Sequence, residues 1–442
     1  MTDLLLTSIG MDYLARALDA VAAWREAAGP LPTHPALAPE PERLEAAFAE
    51  FSSRMAGSYP FHHPRYAGQM LKPPHPVAIA AYTAAMHVNS NNHALDGGPA
   101  TSALEVEVVR DLGRMFGFPE DALGHLTSSG TIANLEALWV ARELHPEKAI
   151  AFDSNAHYTH SRMCAVLGVE AIATDDLEAA CASGRVGTVV VTAGTTGLGT
   201  VDPVEEAVRW RSEHGVRVHV DAAYGGFFTL LDALVPVRSF RAIADADSVV
   251  VDPHKHGLQP YGCGAVLFRN PGVGRLYQHD SPYTYFTSGD LHLGEISLEC
   301  SRAGAAAAAL WLTLRSLDLA PILAAGVRAA RAWASLIGDS DELRLHIEPQ
   351  LDIVSYFPDR PRASEIDAAS ERVLNAGMTA EDPVYLSTLR IDGAAFAALH
   401  PDVEMDVDGV RVLRSVLMKP EHEPFVPWLH ERVSTLVRDQ GA

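Results

Sequence analysis

Several scarcities in this 442-residue chain narrow what it can do. It holds four cysteines, Cys164, Cys181, Cys263 and Cys300, far apart and without a CxxC pair. That spacing argues against a disulfide framework or a cysteine-rich zinc site and fits a reducing cytoplasm. Aromatic residues make up only 7%. Basic residues number 34 against 56 acidic ones, a formal net charge of -22, which disfavours nucleic acid or an anionic membrane as partner. No apolar run reaches the roughly 20 residues of a membrane span; the most apolar, Ala303 to Leu314, is short and alanine-rich. The opening MTDLLLTSIGMDYLARALDAVAAW has Asp3 and no basic group ahead of its apolar stretch, so it reads as an amphipathic helix and not a secretory signal.

Lysine is equally scarce, occurring only at Lys72, Lys148, Lys255 and Lys419. Few side chains can therefore fill a role that needs a deprotonatable amine, since arginine cannot fill it.

What is present is material for a large core, 48% hydrophobic and 20% charged, with length enough for two or three folding units of roughly 150 residues. Residues 46–82 read as a loop-rich segment lining a site. Helical spacing runs from Thr101 to Phe116 and again from Asn134 to Arg142. Short apolar runs then recur at 149–152, 186–192, 216–220, 248–251 and 265–268, with a helical pattern from Pro203 to His214 between two of them. This alternation predicts an α/β fold with a largely parallel sheet. Beyond a long helix near 303–318, LDIVSYF, VYLSTLRI and GVRVLRSVLM predict a smaller α+β domain.

The chemistry-bearing residues stand at the ends of the expected strands, where open α/β sheets bind ligands. Lys255 follows the apolar run SVVV, which sets its stem in the interior and strips water from its amine, as an imine-forming lysine requires. Taken alone, a lysine past a strand is a surface residue; its neighbours change the reading. Asp221 closes the run at 216–220 and could hold a ring nitrogen protonated, or be a turn aspartate. Ser128, Ser129, Gly130 and Thr131 open a helix, where free amides and hydroxyls can cradle a phosphate or merely cap the helix. His157, after the run at 149–152, offers a flat ring for stacking. The pair His157 and His160 has HxxH spacing but lacks the glutamate and the cysteines of a zinc site, so no metal is expected. GTTGLG at 194–199 lacks the full dinucleotide fingerprint.

In this order TSSGTIANLEAL, NAHYTHSR, TAGTTGLGTVDP, HVDAAYGG and DPHKHG resemble the group II pyridoxal-phosphate-dependent amino-acid decarboxylases of fold type I. HPRYAGQM and NSNNHALDGGPATSALE bring the resemblance closest to the tyrosine/aspartate decarboxylase-like branch. The resemblance implies a large domain with a mostly parallel seven-stranded sheet flanked by helices, and a smaller α+β C-terminal domain. It divides the chain into an N-terminal helical segment at 1–60 packing on a dimer partner, the cofactor domain at 61–315 and the small domain at 316–442. It further implies pyridoxal 5'-phosphate as cofactor, an L-amino acid as small-molecule substrate, and a homodimer with sites at the interface.

Residue by residue, Lys255 carries the internal aldimine, Asp221 meets the pyridine nitrogen, and His157 stacks on the ring and takes part in proton transfer. Ser129, Gly130, Thr131 and His254 surround the phosphate, and Thr195 and Ala223 flank the ring. Tyr66, Gln69, His87 and His93 are pocket candidates, and Arg414 matches a C-terminal arginine of the family that holds the ligand or supports the site. In animal aromatic members a loop tyrosine returns the proton after CO2 leaves. Here the alignment sets His292 near that place, with Tyr283 or Tyr285 as other donors. The implied reaction is decarboxylation to the amine; oxidative deamination to an aldehyde, β-elimination, and a non-catalytic binding protein keeping the fold are the alternatives.

Overall fold

The structure, a computed structural model, describes residues 8–277 and 297–439. Its larger sheet has seven strands: β1 (Leu123–Thr127), β2 (Ala149–Phe152), β3 (Ala171–Ala173), β4 (Val186–Thr192), β5 (Arg217–Asp221), β6 (Ser248–Val251) and β7 (Gly264–Phe268). They lie in the order β1-β7-β6-β5-β4-β2-β3. Neighbours from β6 across to β3 are parallel, and β7 runs antiparallel to both β6 and β1. The valine-rich strands β4 and β6 are buried along their whole length, because helices cover both faces of the sheet. One face packs with Val108, Leu112, Phe227 and Leu310, and the other with Ala137, Val140, Met163 and Val273.

Two strands of this sheet escape the pattern of apolar runs. β1 carries His125 and Thr127 and is buried throughout, with His125 Nε2 2.9 Å from Glu136 Oε2. β3 has three residues and is largely exposed.

The segment at 46–82 also departs from its reading as loop. Pro41–Met55 is a helix, capped by Glu40, whose carboxylate accepts from the amides of Glu42 and Arg43. Pro76–Val88 is a second helix, apolar on nearly all sides and packed against Ser8–Ala27. Only the stretch between them is irregular. The expected long helix near 303 is Gly304–Ser316, followed by a separate helix, Ala320–Gly338. Among the described residues no single helix is long and apolar enough to cross a membrane. That last pair is bent by 84° and its apolar residues are buried in the two cores.

The smaller sheet holds β8 (Leu343–Ile347), β9 (Ile353–Pro358), β10 (Ser387–Asp392) and β11 (Gly409–Val416), antiparallel in the order β10-β11-β9-β8. Trp333, Tyr356, Leu413 and Leu429 fill its core. Residues 65–68 attach here: the Tyr385 amide donates to Arg65, the Ala67 amide to Tyr385, and the Val416 amide to Ala67.

Candidate active site

Parallel strands end on a common edge, so the loops after β1, β2, β4, β5 and β6 meet there. They enclose a cavity of about 210 Å³ lined by residues from all five, including Ser129, His157, Thr192, Asp221 and Lys255. Glycine lets the walls close. A Cβ on Gly225 would lie 2.1 Å from the Ala193 carbonyl oxygen, and Gly194 has φ +98 and faces the Gly225 backbone, so the loops after β4 and β5 touch backbone to backbone.

Asp221 is the last residue of β5, with its side chain 6% exposed. His160 Nε2 lies 2.9 Å from its Oδ2, and the Ala223 amide donates to Oδ1 at 3.1 Å. Burial alone would raise this carboxyl. The hydrogen bond and charge of His160, the Ala223 amide and the charge of Lys255 outweigh it and hold Asp221 well below the usual carboxylate range. A fixed negative charge therefore sits in the cavity floor.

Lys255 lies across from it, its side chain 18% exposed and its Nζ 3.1 Å from Asp252 Oδ2. Two other lysines are more deeply buried. Burial pushes Lys72 down to about 8 and Lys419 down to about 7. Both amines are spent on backbone, Lys72 on the Met418 carbonyl and Lys419 on that of Tyr66, and neither lines the cavity.

Gly130–Leu144 begins at the cavity wall. Ser129 Oγ accepts from the Ile132 amide at 3.3 Å, so this hydroxyl caps the helix while the first-turn amides face the cavity. Behind the turn, Asn134 Nδ2 donates to the Gly130 carbonyl at 2.9 Å, which leaves Asn134 Oδ1 to accept from His219 Nε2 at 2.8 Å. Burial brings His219 down to about 3, so it is neutral, with its Nδ1 accepting from Ser248 Oγ at 2.9 Å. This chain fixes where the helix starts.

His157 and His254 also line the cavity. His157 Nδ1 lies 2.6 Å from Thr159 Oγ1, and burial lowers its pKa, so it presents a neutral ring. His254 donates from Nδ1 to the Cys263 carbonyl at 2.7 Å; burial lowers it as well. Ala223 completes the wall beside Asp221.

Other expected residues sit elsewhere. Thr195 Oγ1 lies 2.7 Å from Thr200 Oγ1 across its own turn, and its neighbours Gly194 and Thr196 line the cavity instead. Tyr66 is buried in an aromatic group with Tyr59, Phe61 and Tyr385, because residues 65–68 extend the smaller sheet. Gln69 is exposed, its amide donating to Tyr66 Oη. His87 is exposed and faces Arg25 at 3.4 Å. His93 is half-buried with its Nδ1 unpartnered. None of these four lines the cavity. His292, Tyr283 and Tyr285 lie outside the described residues.

Arg414 braces the cavity from below. Its guanidinium donates to the carbonyls of Gly197 (2.7 Å), Thr196 (2.6 Å) and Gly68 (3.2 Å) and to Ser387 Oγ (3.1 Å), tying the turn after β4 to β10 and to residue 68. Arg414→Ala should lower unfolding free energy by about 1–3 kcal/mol, since these acceptors lose their donors. Arg414→Lys should restore little, because an ammonium lacks the planar fork; thermal unfolding of the two variants checks both.

Sequence reasoning missed Asp252, Asn134, Thr159 and Tyr224 as lining residues, and His160 as the partner of Asp221. Asp252 and Tyr224 stood within DPHKHG and HVDAAYGG, so their position at strand ends was a usable signal. The His160 pairing crosses three strands and left none.

The expected cofactor fits what is here: an amine, a fixed carboxylate across from it, helix amides beside both, and a buried Asp252 oxygen, Oδ1, without a partner. A model of the pyridoxal-dependent decarboxylase conserved domain matches residues 148–357. A probable L-tyrosine/L-aspartate decarboxylase of Methanothermobacter thermautotrophicus is 31% identical over 311 residues, 66% of this chain and 82% of the relative. An L-tyrosine decarboxylase of Enterococcus faecium is 28% identical over 428 residues, 70% of this chain and 69% of the relative. Among solved structures, Oryza sativa TDC with PLP and tryptamine superposes with a TM-score of 0.76 at 18% identity, covering 97% of this chain and 98% of that one. Mouse CSAD gives 0.76 at 19% identity, covering 97% and 99%.

Proposed function

Because the chain belongs to the pyridoxal-dependent decarboxylase family, we propose that this cavity is where it acts, with Lys255 as the residue that holds the cofactor. The reaction is pyridoxal-phosphate-dependent decarboxylation of an amino acid. One observation carries the assignment: Lys255 Nζ, the Asp221 carboxylate and the amides opening Gly130–Leu144 border a single cavity.

When bound, pyridoxal phosphate supplies an electron sink for the charge left at Cα as the carboxylate departs. Asp221, kept ionised by His160, holds a proton on the ring nitrogen and so keeps that sink strong. His157 and Ala223, which line the cavity, would pack beside the ring. Ser129, Gly130 and Thr131 hold the phosphate, with backbone amides in place of a basic side chain. Lys255 would hold the cofactor, and its amine is the cavity group that would be able to move a proton at the reacting carbon. Tyr66, Gln69, His87 and His93 stand outside the cavity of one chain, so a substrate role for them requires a second copy of the chain or movement of residues 64–98.

A second copy is our proposal for the assembly. The helix Pro41–Met55 has no buried residue, and its apolar stripe of Leu44, Phe48, Phe51 and Met55 is exposed. A homodimer covers such a stripe without exposing it to water; light scattering should give twice the chain mass. The free cysteines, three of them buried, fit a cytoplasmic setting.

Incubating the loaded protein with each proteinogenic amino acid, starting with tyrosine and aspartate, tests the reading. Amine and CO2 in equal amounts, at a rate insensitive to oxygen, is the expected result. Aldehyde, ammonia and peroxide in place of the amine would overturn it.

A further inference from the structure

Behind the cavity wall lies a buried acid that the proposed reaction does not use. Asp352 stands directly before β9 of the smaller sheet, its side chain 1% exposed. Oδ1 accepts from Tyr224 Oη at 2.5 Å. Oδ2 faces His256 Nε2 at 3.3 Å, and neither of these two atoms has a hydrogen-bond partner elsewhere among the described residues. The His256 ring in turn lies edge to face with Tyr224 and Phe228, 4.7 Å from each between centroids.

Tyr224 lines the cavity from the loop that begins at Asp221, and His256 directly follows Lys255. The carboxylate therefore reaches from the smaller sheet to the two loops that carry the charged groups of the cavity, while the Leu417 amide, just past β11, donates to its own carbonyl. Packing alone needs no charge here, and burying one is costly. The Tyr224 hydroxyl and the charges of Lys72 and Arg414 favour the ionised form, yet burial outweighs them and raises Asp352 to about 6. Asp352 is thus ionised at neutral pH at the expense of folding stability. Burial keeps His256 neutral, so its Nε2 can turn a hydrogen toward Oδ2.

We propose that Asp352 is a positioning residue for the active site: while ionised, it holds Tyr224 and His256, and through them the loops bearing Asp221 and Lys255, in the arrangement that sets those two groups across the cavity from each other. Asp352 itself touches neither substrate nor cofactor. The site is then complete only while the smaller sheet is packed against the larger. The inference rests on the roles given above to Lys255 and Asp221.

Asp352→Asn keeps the shape and an oxygen for the Tyr224 hydroxyl but removes the charge, and two measurements should move in opposite directions. In the cofactor-free protein the variant should melt at a higher temperature than the native chain at about pH 8. The stability this raised carboxyl contributes is complete below the unfolded value, near pH 4, and is lost as pH rises through about 6, so the gap in melting temperature should open across that window and stay constant above it. In the loaded protein kcat should fall roughly 10- to 100-fold at about pH 8, with KM little changed, and the native-to-variant ratio should approach one as pH falls below about 6. Stability and kcat lost together, or a native kcat in the variant, would overturn the proposal. Tyr224→Phe keeps the ring and removes only the donor, so it serves where Asp352→Asn does not fold: the acid limb of its kcat profile should move above about pH 6, because the ionised carboxylate loses a partner, and an unmoved limb would overturn the proposal. Failure of pyridoxal phosphate to bind the native protein would instead overturn the cofactor assignment, from which the melting comparison, made without cofactor, stands apart.

Discussion

Lys255→Ala should abolish the visible absorption of the cofactor-loaded protein and lower decarboxylation by on the order of 10^3-fold or more, as loss of a covalent catalyst does. The expectation follows from what is left. The other buried amines, Lys72 and Lys419, donate to the Met418 and Tyr66 carbonyls and do not reach the cavity. No described residue lining the cavity carries a second amine that could take over. Lys255→Arg should be as inactive, because its charge can still pair with Asp252 but a guanidinium does not form the covalent link. The arginine variant therefore separates lost chemistry from a lost ion pair. Absorption spectra and product yields of both variants are the measurement, and a visible band retained in either would contradict the role given to Lys255.

Asp221→Asn is expected to be the next most damaging change, reducing turnover by about 10^2–10^3-fold, the scale on which removal of a single fixed electrostatic partner acts. The substitution is nearly isosteric. An asparagine oxygen can still accept from His160 Nε2, now 2.9 Å away, so the cavity wall should persist. What disappears is the negative charge proposed to keep the ring nitrogen protonated. The loss should appear in kcat more than in KM, because that charge acts on the reacting state and not on substrate capture. His160→Gln should give a milder loss, since the Ala223 amide continues to bond Oδ1. Equal activity of Asp221→Asn and the native protein would remove Asp221 from the account.

Lysine scarcity and the placement of Lys255, Asp221 and the Ser129–Thr131 turn at strand ends were legible in the sequence, because each follows from a short-range signal. An apolar run ending in a polar residue marks the carboxyl edge of a strand, and a small-residue turn marks a helix start. The parallel sheet was legible for the same reason: β4 and β6 are buried along their whole length and read as valine-rich runs. β1 was not, because its interior His125 is balanced by Glu136 from a neighbouring helix, a compensation invisible along the chain.

Interactions that cross the fold were equally hidden. For Arg414 the sequence left open whether it holds the ligand or supports the site; its guanidinium meets the Thr196 and Gly197 carbonyls and residue 68, all distant in sequence. Tyr66 reads as a pocket residue in a loop, but the backbone around it joins the smaller sheet, and that pairing decides where its ring points. His160 had no role in the sequence reading beyond a spacing too incomplete for zinc, and in the fold it supports Asp221.

Borohydride reduction of the cofactor-loaded protein, followed by peptide mapping, tests the central claim most directly. The account predicts one pyridoxyl group per chain, on the peptide containing Lys255. A label on Lys72, Lys148 or Lys419, or none on any lysine, would contradict it.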